Sequence, residues 1–202
     1  MTMGRVILLF AFCSTIGLSP NLRGHTVKRN QASRIFSYVK SHVPNACRVP
    51  NESLGIDKVA GHYTDLPPGM PSLGFDDLYL FPDETYFYIE WTDVFPTTIT
   101  DKGTWAFNDD LIELHSDKSL PNGESRRNDK YLPLYIDNNE TSPMLLLGTG
   151  GDFSYFKKNA KTNDEFMLIL CTYNRKEDFG SSEFKQSKRE IYEKFWRPQR
   201  VR

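Results

Sequence analysis

With 202 residues, 13% aromatic and 25% charged, the chain can bury one substantial core and has the composition of a globular protein. Its formal charge of −1 sums unlike parts: no acidic residue precedes Glu52, residues 52–183 carry 24 acidic against 11 basic, and residues 185–202 carry seven basic against two acidic. An acidic body repels nucleic acid, which must be met by a basic surface that displaces counterions, so no nucleic-acid partner is expected.

Residues 1–19 read as an export signal. Arg5 precedes an apolar run from Val6 to Leu18, too short to span a bilayer comfortably and of the right length for a signal-peptide core. Thr15 and Gly17, or Ala11 and Cys13, would serve as the small residues before a cleavage site. Phe12 stands where a lipid-anchored Cys13 would need a small neighbour. The expected location is therefore outside the cytoplasm: periplasmic, outer-envelope or secreted. In a eukaryotic secretory route, Asn51-Glu52-Ser53 and Asn139-Glu140-Thr141 would be glycosylation acceptors.

Residues 20–57 form a leader with one short helical pattern, in which Ile35, Phe36, Val39 and Val43 recur at helix spacing between Ser33 and Pro44. Residues 44–55 look like loop. From Lys58 the period changes to two. Val59, Gly61 and Tyr63 share a face; Asp76–Phe81 and Thr85–Trp91 follow, the latter with Phe87, Ile89 and Trp91 opposite Tyr86, Tyr88 and Glu90. Thr98–Phe107 places Gly103, Trp105 and Phe107 together, and Asn108-Asp109-Asp110 turns into Leu111–Ser116. Residues 117–129 are a polar loop. Tyr131–Ile136, Met144–Gly148, Phe153–Phe156 and Glu165–Tyr173 complete the expected strands. Short strands separated by turns, with no alternating helices, predict an all-β fold. The expectation is an antiparallel meander β-barrel of about eight strands over residues 58–176, preceded by the short helix. Residues 177–202 give a helix capped by Ser181 or Ser182, with Phe184, Ile191, Tyr192, Phe195 and Trp196 on one stripe and Pro198 as its stop; it is expected to dock on the barrel.

The order of signal, strand meander and C-terminal helix resembles the lipocalin and wider calycin group. Gly61-His62-Tyr63 stands where lipocalins have Gly-x-Trp, Gly151-Asp152-Phe153 echoes a Thr-Asp-Tyr loop motif, and Arg175 takes the place of the last-strand Arg that packs over the first-strand aromatic. Gly103-Thr104-Trp105, followed by a turn and an alternating strand, is similar to bacterial lipocalin-like envelope proteins. The likeness covers roughly residues 58–197 and implies a fold, with Gly61, Tyr63, Asp152 and Arg175 as its motif positions.

Chemistry-bearing patterns are sparse. No Gly-x-Ser-x-Gly elbow occurs, His25 and His42 lie in the leader, and His62 and His115 alternate away from the expected core faces, so no catalytic residue is assigned and the chain reads as a non-enzyme. Neither Asp76-Asp77 nor Asp109-Asp110 has metal-ligand geometry in a strand, and no metal or cofactor is expected. Gly148-Thr149-Gly150-Gly151 reads as a hairpin turn rather than a phosphate cradle. Cys47 and Cys171 form either a disulfide or two free thiols. What stands out is the aromatic load. Tyr63, Phe87, Ile89, Trp91, Trp105 and Phe107 are the expected barrel-interior residues, and the leading reading is a small apolar or amphipathic ligand held among them. The alternative is a solid barrel that meets a protein or membrane surface through its C-terminal helix.

Overall fold

A computed structural model describes residues 22–49, 54–66, 74–92, 97–117, 129–137, 143–179 and 184–195. The expected signal at 1–19, both glycosylation sequons, Ser181, Ser182, Trp196 and Pro198 lie outside them. Helix α1 (Leu22–His42) is followed by β1 (Ala46–Arg48), the short α2 (Ile56–Val59), β2 (Gly61–Thr64), β3 (Gly74–Leu80), β4 (Thr85–Thr92), β5 (Thr98–Asn108), β6 (Leu111–Ser116), β7 (Lys130–Ile136) and β8 (Leu145–Gly148). Then come α3 (Gly151–Asn159), α4 (Glu165–Leu170), β9 (Thr172–Asp178) and α5 (Phe184–Phe195).

Strands β2 to β9 pair in sequence order, each antiparallel to the next, and β9 returns to pair with β2. The result is a closed eight-stranded meander barrel. Strand β1, which the sequence pattern reads as loop, takes the half of the β7 edge that β6 leaves open: Tyr131 of β7 faces Ile112, whereas Leu134 to Ile136 face Arg48 to Ala46. Part of the leader thus belongs to the sheet, and β9 runs two residues past the expected barrel boundary at 176.

Meander topology sorts the connections onto two ends. The turns at 81–84 and 109–110 and the connection 137–144 lie at one end. Asp109 and Asp110 both have positive φ (50° and 70°), as a two-residue hairpin with right-handed strand twist requires. The strand ends joined by 65–73, 93–97, 117–129 and 149–171, together the longer connections, lie at the other end.

Two expected strands are helices. Phe153–Phe156 lies within α3, where Phe153 and Phe156, three apart, turn the same way against Tyr38 of α1. The run Phe166 to Leu170 is apolar at every position, so periodicity cannot choose its structure. The cap chooses: the Asp164 side chain accepts the Met167 N–H at 2.8 Å and starts α4. The glycine-rich loop is correspondingly a β8–α3 junction and not a hairpin.

The outer wall is covered in two places. Ala32, Ile35 and Val39 of α1, Val43 just after it, Phe156 of α3 and Leu168 of α4 share a buried cluster with Leu132, Leu134, Leu145 and Leu147 of β7 and β8. On the other side, Ile191, Tyr192 and Phe195 of α5 pack against the cluster that contains Phe87, Ile89 and Ile99. Lys188 fastens α5 to the β3–β4 turn through Asp83 and Thr85, each at 2.5 Å. Cys47 and Cys171 are free thiols, the second of the two alternatives that the sequence leaves open. Cys171 is buried, which pushes its thiol up to about 11.

Candidate functional site

Strand register decides which residues face the barrel lumen. Tyr63 lies opposite Leu78, Leu78 opposite Tyr88, and Tyr88 opposite Asp101; Tyr86 meets Gly103, Trp105 meets Leu114, Phe107 meets Ile112, and Ile112 meets Tyr131. Directly paired residues share a face of a sheet. That this face is the lumen follows from contacts that cross it. The Tyr88 hydroxyl of β4 lies 3.0 Å from the Tyr173 hydroxyl of β9, and the Tyr173 ring stands edge-on to Tyr131 of β7 at 5.7 Å.

Of the six expected interior residues, Tyr63, Trp105 and Phe107 lie on this face. The other three, Phe87, Ile89 and Trp91, belong to the opposite parity and face outward. Phe87 lies 5.8 Å from the Tyr192 ring of α5, Ile89 pairs with Asp77 and Ile99, and Trp91 stacks on Phe75 at 5.0 Å. The physical reason is that α5 supplies an apolar cover outside, while inside Tyr86 and Tyr88 find partners for their hydroxyls. Burying a hydroxyl is costly unless it is hydrogen-bonded. The lumen offers those bonds, and the outer wall under α5 offers methylenes and rings.

The partners form two polar clusters. Tyr88 donates to the Asp76 carboxylate while meeting Tyr173. Tyr86 donates to Asp101 at 2.8 Å, and Ser116 donates to the other oxygen of the same carboxylate at 2.6 Å. Asp101 is fully enclosed, and these hydroxyls, with the Lys102 N–H at 2.9 Å, hold its charge away from water. Burial first, and the neighbouring Asp101 second, push the Tyr86 phenol pKa far above its ordinary value, so the hydroxyl keeps its proton. Asp76, Tyr131 and Tyr173 lie near the beginnings of strands that enter from the end where the longer connections gather.

The opposite end is plugged. Tyr63 is buried and donates to the Val59 carbonyl at 2.5 Å, closing α2 onto the barrel. Arg175, the register partner of Tyr63, donates to the Ala60 carbonyl at 2.8 Å. Between them, Gly61 is a requirement: a Cβ there would lie 2.6 Å from the Glu177 carbonyl oxygen and 2.9 Å from Arg175 Nε. The structure thus brings together Gly61, Tyr63 and Arg175. It does not bring Asp152 to them; that carboxylate sits in the first turn of α3, over Gly148.

Trp105 is enclosed, with its indole N–H donating to the Phe81 carbonyl at 2.9 Å. The motif glycine before it is again a close approach, since a Cβ on Gly103 would fall 2.0 Å from the His115 carbonyl oxygen. On the outer wall His62 bonds Asp77 at 2.9 Å and stacks on Tyr79 at 4.2 Å, and His115 is exposed. A recess of about 300 Å³ beside the glycine-rich loop includes Asp129, Tyr131, Thr149 and Asp152. Its two carboxylates oppose an anion there despite the α3 N-terminus. Among the described residues no group of three or more His, Cys, Asp or Glu is placed to hold a metal ion.

Sequence reasoning missed Tyr86, Tyr88, Tyr131, Tyr173, Asp76 and Asp101 as lumen residues. A usable signal was the phase of β5, where Gly103 and Trp105 fix the inward parity and Asp101 continues it two residues earlier. Comparison with protein families, curated proteins and solved structures finds no match, so the reading of function rests on this geometry.

Proposed function

We propose that the protein is an exported, non-enzymatic carrier that holds a small amphipathic molecule in the barrel, entering from the end where the longer connections gather. The observation that carries this reading is the tyrosine–carboxylate layer of Tyr88, Tyr173 and Asp76. A barrel built only as a scaffold is most simply filled with aliphatic side chains; this lumen instead presents phenol rings with oriented hydroxyls and a carboxylate. Rings supply apolar contact area, and a ligand hydroxyl or amine can replace the tyrosine–tyrosine hydrogen bond at little net cost. The plug of Tyr63, Arg175 and Gly61 supports a one-ended vessel, and it corresponds to the first- and last-strand positions of the lipocalin pattern.

Mass spectrometry of the protein purified from its native source, under native and then denaturing conditions, tests the proposal. A reproducible excess mass lost on denaturation is expected. Titration of the recovered ligand into stripped protein should quench or shift Trp105 fluorescence, and Tyr88→Phe should weaken binding by roughly fivefold to tenfold, the worth of one hydrogen bond. A bare mass, with no ligand-dependent change in fluorescence, sinks it.

One observation favours a second reading, a solid barrel that serves as an interaction module. Trp105, Tyr63, Tyr86, Tyr88, Leu78 and Leu80 are each under 2% exposed, so the lumen around them is filled. On this reading Tyr88→Phe changes stability alone. The C-terminal helix is not the natural contact element in either case, because Ile191, Tyr192 and Phe195 are spent on the barrel wall.

A further inference from the structure

We propose that the helical connection between β8 and β9 is a docking surface for an anionic lipid bilayer. The inference is independent of whether the lumen carries a ligand.

Three large apolar residues are exposed among those described: Ile56, Tyr155 and Phe166. Tyr155 (59% exposed, on α3) and Phe166 (57%, on α4) belong to the same connection and to helices that touch each other. The inward sides of both helices are already committed, Phe156 and Leu168 being completely buried against β7, β8 and α1. Tyr155 and Phe166 therefore add nothing to the core, and short helices gain no stability from wetting aromatic rings.

The charges around them are sorted. The connection carries three acidic and three basic residues, and by count it is neutral. The three acids are only partly exposed and each has a neighbour: Asp152 lies over Gly148 and lines the recess beside the glycine-rich loop, Asp164 caps α4, and Glu165 accepts from Asn45 at 3.0 Å. All three lysines, Lys157, Lys158 and Lys161, are exposed. Lys158 follows Tyr155 by three residues and shares its side of α3. The exposed side chains of the connection thus include two aromatic rings and three ammonium groups, while its three carboxylates are only partly exposed. That combination fits a membrane surface, where rings sit at the headgroup level and each lysine gains from anionic lipid. It stands out on a chain whose residues 52–183 are otherwise strongly acidic. No described helix is long and apolar enough to cross a bilayer, so the contact is peripheral. The connection leaves the barrel at the end where the longer connections gather, and its helices lie against the adjoining outer wall.

The test is co-sedimentation of the full-length protein with vesicles of phosphatidylcholine alone and with vesicles in which roughly one lipid in four is phosphatidylserine. Binding should favour the anionic vesicles and fall as salt rises. Lys158→Gln with Lys161→Gln should lower it on the order of tenfold or more on anionic vesicles only. Tyr155→Ser with Phe166→Ser should lower binding while its salt dependence remains, and Tyr155→Trp with Phe166→Trp should restore it. Because all four positions are exposed, unchanged melting temperatures will show that the variants fold. Any contribution from residues 6–18 is common to wild type and variants and cancels in the comparison. Equal binding by wild type and both double variants overturns the proposal, as does indifference of the wild type to phosphatidylserine. It also fails if the aromatic variant keeps vesicle binding but dissolves a dimer in sedimentation, for then the face belongs to a second copy.

Discussion

The inner and outer walls of this barrel both bury apolar surface, by different means. Outside, under α1, the wall is aliphatic: Leu132, Leu134, Leu145 and Leu147 meet Ala, Ile and Val side chains without direction. Inside, phenols dominate, and their tips are tied to Asp76, Asp101, Ser116 and each other. Non-directional burial tolerates shifts and scales with area. A hydrogen-bonded layer demands geometry, and a single missing partner leaves a buried polar group exposed to its full desolvation cost. The inner wall is thus the more specified of the two, and the outer wall the more adaptable.

Core truncation gives the largest expected effect and the first way to break this contrast. Trp105→Ala on the inner wall should cost about 3–5 kcal/mol, and Leu134→Ala under α1 about 2–5 kcal/mol, both read as reduced urea midpoints. If the inner wall is the rigid one, the Trp105 site will not collapse and its cost will fall at the top of the range. A cost for Trp105→Ala below that of Leu134→Ala would reverse the comparison. Next in size is Gly61→Ala, expected to destabilise by roughly 1–3 kcal/mol, because the added carbon meets the Glu177 carbonyl and the chain must shift. Gly55→Ala, with nothing within 4 Å of the new carbon, is the control and should be near neutral.

A double-mutant cycle sharpens the contrast at the level of one bond. Tyr88→Phe and Tyr173→Phe should each destabilise, and the coupling between them should be about 0.5–1.5 kcal/mol by urea denaturation. Tyr88→Phe should cost more of the two, since it also removes a donor from Asp76. No coupling would mean the two hydroxyls are satisfied separately, and the inner layer would then be no more specified than the outer.

The barrel was legible in the sequence because turn residues and two-residue alternation recur from Lys58 onward. Its phase was not legible in β4. Thr85–Trp91 carries large apolar residues at both parities, and the more hydrophobic set, Phe87, Ile89 and Trp91, reads as interior until α5 is seen to cover it. A hydrophobicity pattern cannot distinguish a lumen from an outer wall under a helix, since both exclude water. The helices α3 and α4 were hidden for a related reason: Phe166 to Leu170 has no period, and Asp164 acts as a cap only once the chain ahead of it has turned. Gly61, Tyr63 and Arg175 were singled out through a family pattern, and in the fold they lie together. The tyrosine layer required register, which is a property of paired strands and not of any one segment.

The smallest expected effect concerns how α5 is held to the outer wall. Lys188 reaches Asp83 and Thr85 and lies 5.1 Å from the centre of the Phe81 ring. Partial burial pushes the Asp83 carboxyl up, but the hydrogen bonds from Lys188 and Thr85 and the lysine charge outweigh it and leave the group below its ordinary value of 3.8. A carboxyl lowered in the folded state adds stability that is complete above its unfolded value and disappears as pH falls through the folded one. The Asp83 side chain is 53% exposed, so screening limits the pair to about 0.2–1 kcal/mol near neutral pH. Lys188→Met keeps the stem over Phe81 and removes the charge. The gap between wild type and Lys188→Met should be constant from about pH 7 to pH 5 and shrink below about pH 4, where Asp83 protonates in both. High salt should shrink it at neutral pH as well. A gap unchanged at pH 3 would assign the whole effect to packing of the lysine stem, and α5 would then be held, like α1, by non-directional burial alone.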